Sequence, residues 1–492
     1  MSDEPDDVDQ SQGGEVIQLD VAREQLSTAV MDLSDDSLTS RFIAKHGDTI
    51  RHVGQWNRWM TYTGKVWEVD YNNQTTELAR KTLRDIGKRI FSGELQRGMG
   101  GMPPNLTDHD RKGRIRNIKK NALSIIRPMK SYRTITHVVS LAKNDDKVVQ
   151  TVDAWDSDPW LLNTPDGTVD LKTGGIRKHN PLDFMTMTTA VGPSIEPPTR
   201  WIEFLKQITD GDDELIAYFQ RILGYSLTGL TGEHAMFFVY GTGGNGKSVI
   251  LNTVGNLLNT YHKSSGMETF ILSNDSRHPT ELANLRGARL VTASETQAGR
   301  KWDEVKVKRL TGGDPISARF MRQDFFEFFP QFKLFVVGNH KPHMANVDEA
   351  MRRRFNLISL SVNIPKEQQD IHLVTKLEEE WPSILQWMID GCIQWQSIGL
   401  QAPESVRAAT DNYMALEDHF GAWWQECCEF NPRGFTKVAD LYDSWSAWCT
   451  RNTELAGGKK TFSQTLSGRA EVLKIKYYTT SEGRGFRGVS LK

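Results

Sequence analysis

Gly241-Thr242-Gly243-Gly244-Asn245-Gly246-Lys247-Ser248 is a glycine-rich octad closed by Lys-Ser. It satisfies the spacing G-x4-G-K-[ST]. Glycines in such a loop let successive backbone N–H groups turn inward on an anion, and a helix beginning there adds the positive end of its dipole. The lysine then reaches the β- and γ-phosphates, and the hydroxyl supplies an oxygen to Mg²⁺. Residues 241–248 are therefore candidates to bind ATP, with Lys247 as the catalytic cation and Ser248 as a metal ligand. The bland reading is a chance glycine-rich turn. The flanks oppose it, because Ala235-Met236-Phe237-Phe238-Val239-Tyr240 reads as a buried strand and residues 249–258 as a helix.

Such a loop needs a carboxylate from a neighbouring strand. Arg289-Leu290-Val291-Thr292-Ala293-Ser294-Glu295 ends an apolar run in a single acid, so Glu295 is the candidate metal ligand and water-polarising group. Standing alone, a strand-end glutamate is more often plain surface. The next run, Phe332-Lys333-Leu334-Phe335-Val336-Val337-Gly338-Asn339, ends in an amide that can orient the attacking water. The alternative for Asn339 is an asparagine opening a turn before Pro342. In Met351-Arg352-Arg353-Arg354-Phe355, Arg353 or Arg354 can reach a neighbouring subunit's nucleotide as a finger, or the arginines can be solvated charge. Residues 315–321 and 325–329, joined around Arg322-Gln323-Asp324, read as a hairpin whose Arg319 and Arg322 suit phosphate contacts. Its four phenylalanines, Phe325, Phe326, Phe328 and Phe329, are expected in the core.

These groups need a scaffold. A length of 492 residues corresponds to about three domains. Residues 201–400 alternate helical stretches with β-branched apolar runs, which predicts an α/β domain with a parallel sheet. Residues 1–36 are an acidic tail, with seven acids and no base up to Asp20, too polar to fold. Residues 37–200 mix tryptophan-rich hairpins with helices in an α+β arrangement. Helices are expected over 76–90 and through a basic segment ending at Pro128, separated by a glycine- and proline-rich loop over 98–104. Residues 401–492 begin as a helical connector, and 436–492 read helix, helix, hairpin. That order suits a small winged-helix-like module or a generic α+β cap.

Composition excludes several classes. No run approaches 18 apolar residues, and the N-terminus is acidic where a targeting signal would be basic, so neither a membrane partner nor secretion is expected. Four cysteines, Cys392, Cys427, Cys428 and Cys449, lack paired spacing for a zinc ribbon or a disulfide framework, which suits a reducing cytoplasm. The net charge of −2 comes from 60 basic and 62 acidic residues and argues against nucleic acid only on average. Between Arg111 and Arg133 there are nine basic residues and no acid, and residues 456–492 hold eight bases against two acids. Each run is an electrostatic footprint for phosphates or a solvated face.

The succession of this loop, Ser294-Glu295, Lys308-Arg309-Leu310-Thr311-Gly312-Gly313-Asp314-Pro315-Ile316-Ser317-Ala318-Arg319, Gly338-Asn339-His340-Lys341-Pro342 and Arg353-Arg354 resembles superfamily 3 helicases. The similarity is to the phage and plasmid primase-associated branch, related to the poxvirus primase-helicase. Asp158-Pro159-Trp160-Leu161-Leu162-Asn163-Thr164-Pro165-Asp166-Gly167 looks like the domain preceding the ATPase in that branch, and Phe486-Arg487-Gly488-Val489 like its C-terminal winged-helix region. The resemblance implies an AAA+-like P-loop ATPase core that forms rings, typically hexamers, and translocates 3′→5′ on single-stranded or forked DNA in phage or plasmid replication. A virally encoded member would act in the host cytoplasm. It further implies Gly246, Lys247 and Ser248 as nucleotide and Mg²⁺ ligands, Glu295 as the Walker B acid, Asn339 as sensor and Arg353 or Arg354 as the trans-acting finger. Lys308 and Arg319 match basic positions in a region that carries a DNA-contacting hairpin. Two departures stand out: no second acid accompanies Glu295, and the roughly 37 residues ahead of the resembling region are too few for a primase fold. A helicase supplied with a separate primase is the expectation. The competing readings are an ATP-controlled origin-binding initiator without unwinding, a P-loop ATPase that remodels protein, and a small-molecule kinase.

Overall fold

The computed structural model describes residues 32–492 apart from 273–279, 296–298, 322–323, 345–346, 453–455 and 482. The acidic stretch up to Asp20 and the candidate Arg322 therefore lie outside the described residues. The chain divides into two units, Met1–Ser157 with His179–Thr186, and Asp158–Lys178 with Met187–Lys492.

In the first unit, α1 (Asp35–His46) is capped by Ser34, whose hydroxyl accepts from the Ser37 N–H. Strands β1 (Ile50–Val53), β2 (Arg58–Tyr62) and β3 (Trp67–Val69) form an antiparallel meander. The strand β4 (Val149–Gln150) joins β1 in parallel. The tryptophans expected near turns pack here: Trp67 is buried edge-on against Trp155, and its indole N–H donates to the Pro181 carbonyl at 2.8 Å. Three helices follow β3, namely α2 (Gln74–Gly100), α3 (Asp108–Met129) and α4 (Tyr132–Ala142). Helix α2 runs ten residues beyond the expected end at position 90. Gly98 does not break it, because the glycine serves close approach: a Cβ there would stand 2.4 Å from Ile118 Cδ1 of α3. Buried residues stop at Gly87 in α2 and begin at Ala122 in α3. The distal halves of the pair are thus a two-helix arm.

The second unit opens with the antiparallel strands β5 (Leu161–Thr164), β6 (Gly167–Asp170) and β7 (Gly175–Arg177), then α5 (Thr199–Ile208) and α6 (Asp213–Tyr225). Its centre is a five-stranded sheet built from β8 (Met236–Tyr240), β9 (His262–Gly266), β10 (Leu290–Glu295), β13 (Lys333–Gly338) and β14 (Phe355–Ser359). The strand order is β14-β8-β13-β10-β9 and every pairing is parallel, as the alternating pattern of residues 201–400 predicts. Parallel sheets need cover on both faces. Helix α7 (Lys247–Leu258) follows β8, and α8 (Thr280–Ala283), α9 (Glu304–Gly312), α10 (Glu349–Arg352), α11 (Leu373–Glu378), α12 (Trp381–Ile398) and α13 (Glu404–Glu417) complete the layers. Phe238, Val336, Leu357, Trp302 and Tyr413 share one buried core.

Strands β11 (Ile316–Ala318) and β12 (Phe326–Phe328) form the expected hairpin, but the expectation for its phenylalanines is half right. Phe328 is buried and Phe326 packs on the core, whereas Phe325 is 58% and Phe329 69% exposed. The reason is the period of two along a strand, which sends alternate side chains to opposite faces. After α14 (His419–Cys427) come β15 (Cys428–Lys437), α15 (Val438–Arg451), α16 (Lys459–Gly468), β16 (Lys476–Thr480) and β17 (Gly483–Leu491). The last two pair as the expected hairpin. Strand β15, read from sequence as connector, joins them in the order β15-β17-β16 over a core of Trp423, Trp445, Trp448 and Phe462.

Two buried cations sit at the amino-terminal edge of the parallel sheet. Arg289, just before β10, donates to the carbonyls of Leu227 at 2.6 Å and Leu161 at 2.5 Å, and lies over the Tyr261 ring. Lys333, the first residue of β13, donates to the carbonyls of Thr228, Leu230 and Gln331 and lies over Tyr225. Burial, reinforced by the nearby Arg289 charge, holds the Lys333 ammonium well below its ordinary pKa of 10.5. Below the folded value both states carry the proton and the burial penalty is full. Between the folded value and 10.5 the unfolded chain holds more protons, so native stability rises with pH in that window. We expect urea denaturation to show wild-type stability rising relative to Lys333→Met as pH climbs through that window. A constant difference between the two proteins would contradict it.

Candidate functional site

Register decides the geometry of the site. Tyr240, the last residue of β8, stands opposite Gly338 of β13, and Gly338 stands opposite Glu295 of β10. Three strands therefore end side by side, and the glycine-rich loop, Asn339 and Glu295 emerge from one edge. Adjacent strands are about 4.8 Å apart, which puts the Glu295 backbone roughly 10 Å from the start of the loop. Ligands of open parallel sheets bind beyond this carboxyl-terminal edge.

Within the loop, the amide of Gly241 donates to the Gly338 carbonyl at 3.3 Å and the Gly244 carbonyl accepts from Ile364 N at 3.0 Å. Thr242 is exposed. Asn245 is 2% exposed; its amide nitrogen donates to the Leu360 carbonyl at 3.2 Å. Its amide oxygen accepts from Lys247 Nζ at 2.7 Å, and the Gly241 carbonyl accepts from the same ammonium at 2.7 Å. Lys247 is buried, and burial lowers its pKa. Among the residues whose side chains are described it has no acidic partner, and the two oxygens that accept from it are neutral. Gly246 opens α7 at φ +79°, and a Cβ on it would stand 2.7 Å from Ile208 and 2.9 Å from Phe204. Only glycine fits both the backbone angle and the space.

A cavity of about 700 Å³ lies against the loop. Gly243, Gly244, Asn245, Gly246, Lys247, Ser248 and Asn339 line it, so the sequence-derived candidates converge with Asn339 on one space. Glu295 is placed by its backbone alone. The rest of the lining was not foreseen. Helix α5 contributes Arg200, Glu203, Phe204 and Gln207, and the segment after β14 contributes Ile364, Gln368, Gln369 and Asp370. No motif marks these residues; the one available signal was the Pro197-Pro198 break that starts α5. The segment after β14 is tied to the loop through Ile364 and stiffened by Gln369, whose amide donates to the Ile364 carbonyl at 2.7 Å.

The remaining candidates lie elsewhere. Phe355 pairs with Met236 at the start of β8, so Arg352, Arg353 and Arg354 stand at the opposite edge of the sheet from the loop. Arg352 meets Asp411 at 3.3 Å. Arg354 is buried and donates to the Ala350 carbonyl at 2.8 Å, and burial lowers its pKa, as does the neighbouring Arg353 charge. Arg353 is exposed. Lys308 is not a free cation, since it pairs with Asp348, the residue that caps α10. Arg319 follows β11 with its guanidinium 4.6 Å from the centre of the exposed Phe325 ring.

Two family models match this chain. "D5 N terminal like" covers residues 39–210, and a family of unknown function, DUF5906, covers residues 239–354, from the end of β8 to Arg354. The chain resembles the D5-like, primase-associated branch of superfamily 3. A protein of Acanthamoeba polyphaga mimivirus named "Putative helicase L207/L206" is 28% identical over 325 residues, 60% of this chain and 34% of its own length. "Putative helicase 022R" of Frog virus 3 (isolate Goorha) is 24% identical over 281 residues, 52% of this chain and 28% of its own length. The chain thus spans about a third of the length of the curated relatives it matches. A solved structure of the NrS-1 C-terminal region aligns over 92% of this chain and 98% of its own, at 11% identity and a TM-score of 0.48. Among the described residues, no helix is long and apolar enough to cross a membrane.

The loop geometry leaves no room for a side chain at Gly246. Gly246→Ala is expected to lower stability by about 1–3 kcal/mol through overpacking against Phe204 and strain at positive φ. Chemical denaturation beside a Gly243→Ala control, where a Cβ meets nothing within 4 Å, separates the two causes.

Proposed function

We propose that this chain is the ATP-hydrolysing motor of a DNA helicase from a phage, virus or plasmid replication system. The observation that carries the reading is the shared edge at which the residue 241–248 loop, Glu295 and Asn339 meet across three in-register strands. The matching family models and the names of the viral relatives support the same class. On this reading residues 236–360 are a P-loop core of the AAA+ kind. The helix, strand, helix, helix, strand, strand order of residues 419–491 serves as a winged-helix-like module.

The residues present fit a nucleoside triphosphate with Mg²⁺. The loop offers backbone N–H groups at a helix start, and Lys247 is a buried cation without an acidic partner among the described residues, a combination that suits a polyanion. When bound, ATP supplies the phosphoryl group and Mg²⁺ spreads the charge that develops on it. Lys247 exchanges two neutral oxygens for phosphate oxygens, Ser248 offers its hydroxyl to the metal, and Glu295 serves both metal and water because no second acid accompanies it. Asn339 holds the attacking water in line. The half-apolar wall of Phe204, Ile364 and Ile371, with the amides of Gln207 and Gln368, takes the base. Arg353 is the finger, because Arg352 and Arg354 are engaged within the chain. It serves a neighbouring subunit, since it lies at the wrong edge for its own loop, which is what a head-to-tail ring requires. Lys308 braces α10 through Asp348, and Arg319, which follows β11, contacts single-stranded DNA, a role also assigned to Arg322.

ATP hydrolysis measured with and without single-stranded DNA tests the reading. Stimulation by the strand is expected, with activity lost in Lys247→Ala and reduced at least ~100-fold in Asn339→Ala. Hydrolysis indifferent to DNA would instead favour a protein remodeller. For the finger, Arg353→Ala and Lys247→Ala should each be inactive alone. Mixed in equal amounts they should regain activity at about a quarter of the shared sites, because one intact loop then meets one intact arginine. Failure of the mixture to recover any hydrolysis would remove the trans role of Arg353.

A further inference from the structure

Helix α3 carries seven bases against two acids, and both acids, Asp108 and Asp110, lie in its first turn. At about 100° per residue, Lys112, Arg116, Lys119, Lys120 and Arg127 fall within an arc of about 100°, with Lys130 at the helix end on the same line. All six are exposed, and among the described residues none has an acidic partner. Ile118, Ala122 and Ile126 lie on the adjacent face, where Ile118 stands against Gly98 and Ile126 against Gly87 of α2. The stripe is about 27 Å long. The side chains of Lys112, Ile115, Arg116, Lys119, Lys120 and Leu123 border a shallow, open space of about 490 Å³ on this helix.

Like charges four apart, as in Lys112/Arg116 and Arg116/Lys120, weaken a helix by mutual repulsion. A chain whose overall charge is −2 nevertheless concentrates them here, on the arm formed by the distal halves of α2 and α3. An anionic surface of matching length removes that repulsion. Helix α3 has no Phe, Tyr or Trp, so it offers no platform for stacking unpaired bases, the usual device of single-strand grooves. A straight row of cations on a rigid helix instead suits the regularly spaced phosphates of a duplex, where counterion release drives binding without base readout.

We propose that the Lys112–Lys130 stripe of α3 docks on the sugar–phosphate backbone of duplex DNA. The stripe belongs to the first unit, whereas the ATP site and the β11–β12 hairpin belong to the second, and it holds the double-stranded side of the substrate. The proposal rests on the reading that the substrate is DNA, but not on hydrolysis.

The test is binding of the full chain, without nucleotide, to a labelled duplex of about 20 base pairs and to a single strand of equal length, across salt from about 50 to 200 mM. In the variant carrying Lys112→Gln, Arg116→Gln, Lys119→Gln and Lys120→Gln, duplex affinity should fall on the order of 10- to 100-fold. The slope of log affinity against log salt should become shallower by about three to four, roughly one for each phosphate that is no longer neutralised. Arg116→Gln alone should reduce the slope by about one, a reading that needs no multiple change. The variant with Lys112→Arg, Lys119→Arg and Lys120→Arg should bind as wild type, because only charge is required. Unchanged duplex binding in the glutamine variant overturns the proposal, as does an equal loss of single-strand and duplex binding, or failure of the arginine variant to bind. Since nucleotide is absent, failure of the motor reading appears separately, as hydrolysis that ignores single-stranded DNA.

Discussion

A parallel sheet brings the carboxyl ends of all its strands to one edge, and the chemistry of the larger unit depends on that constraint. Because β8, β13 and β10 run the same way and end in register, residues separated by about 100 positions in the chain become neighbours without any dedicated contact between them. A slip of one residue in β13 would move Asn339 to the other face of the sheet. The slip is opposed by packing, because every residue from Lys333 to Gly338 is buried and a shifted side chain would have to fit a space shaped for its neighbour. Packing of Phe335, Val336 and Val337 therefore positions the site as much as any polar contact does.

Charge is sorted by the same sheet. At the amino-terminal edge, Arg289 and Lys333 are buried among carbonyls that leave little free valence. They tie β10 and β13 to the loop 225–231 and to Leu161. At the carboxyl edge, Lys247 is buried too, yet its two acceptors are a loop carbonyl and the side-chain amide of Asn245. The first two cations close a scaffold, where removing a carbonyl partner would strand a charge. The third can trade its partners for stronger ones, because a neutral amide competes poorly with an anion.

Those features that depend on local spacing were legible in the sequence. The loop, the strand before it and the helix after it follow from eight contiguous residues and their flanks, and the parallel sheet follows from the alternation of apolar runs. What depends on tertiary partners was not. Nothing in the spacing around Lys308 shows that Asp348, forty residues on, pairs with it. Lys333 opened an apolar run with nothing to say that the carbonyls of Thr228 and Leu230 would receive it. Phe204, Gln207 and the segment 364–371 line the cavity from before and after the motifs, and carry no spacing of their own. Helix α2 outran its expected end because a glycine that breaks an isolated helix is also the residue that lets two helices touch.

The three adjacent arginines carry this furthest. As a string they are indistinguishable, and register alone could not rank them. They straddle the end of α10 and the start of β14, where successive side chains change direction. One therefore meets Asp411, one turns inward to Ala350, and one faces solvent. An exposed arginine at the amino-terminal edge and a phosphate-suited loop at the carboxyl edge cannot meet within one sheet of five-residue strands, which spans roughly 16 Å. If Arg353 acts on a phosphate, the contact joins unlike faces of two copies. Unlike-face contacts repeat head to tail and end only when the rotation closes. The polarity of the sheet, not a special interface motif, is then what would make such a contact head to tail.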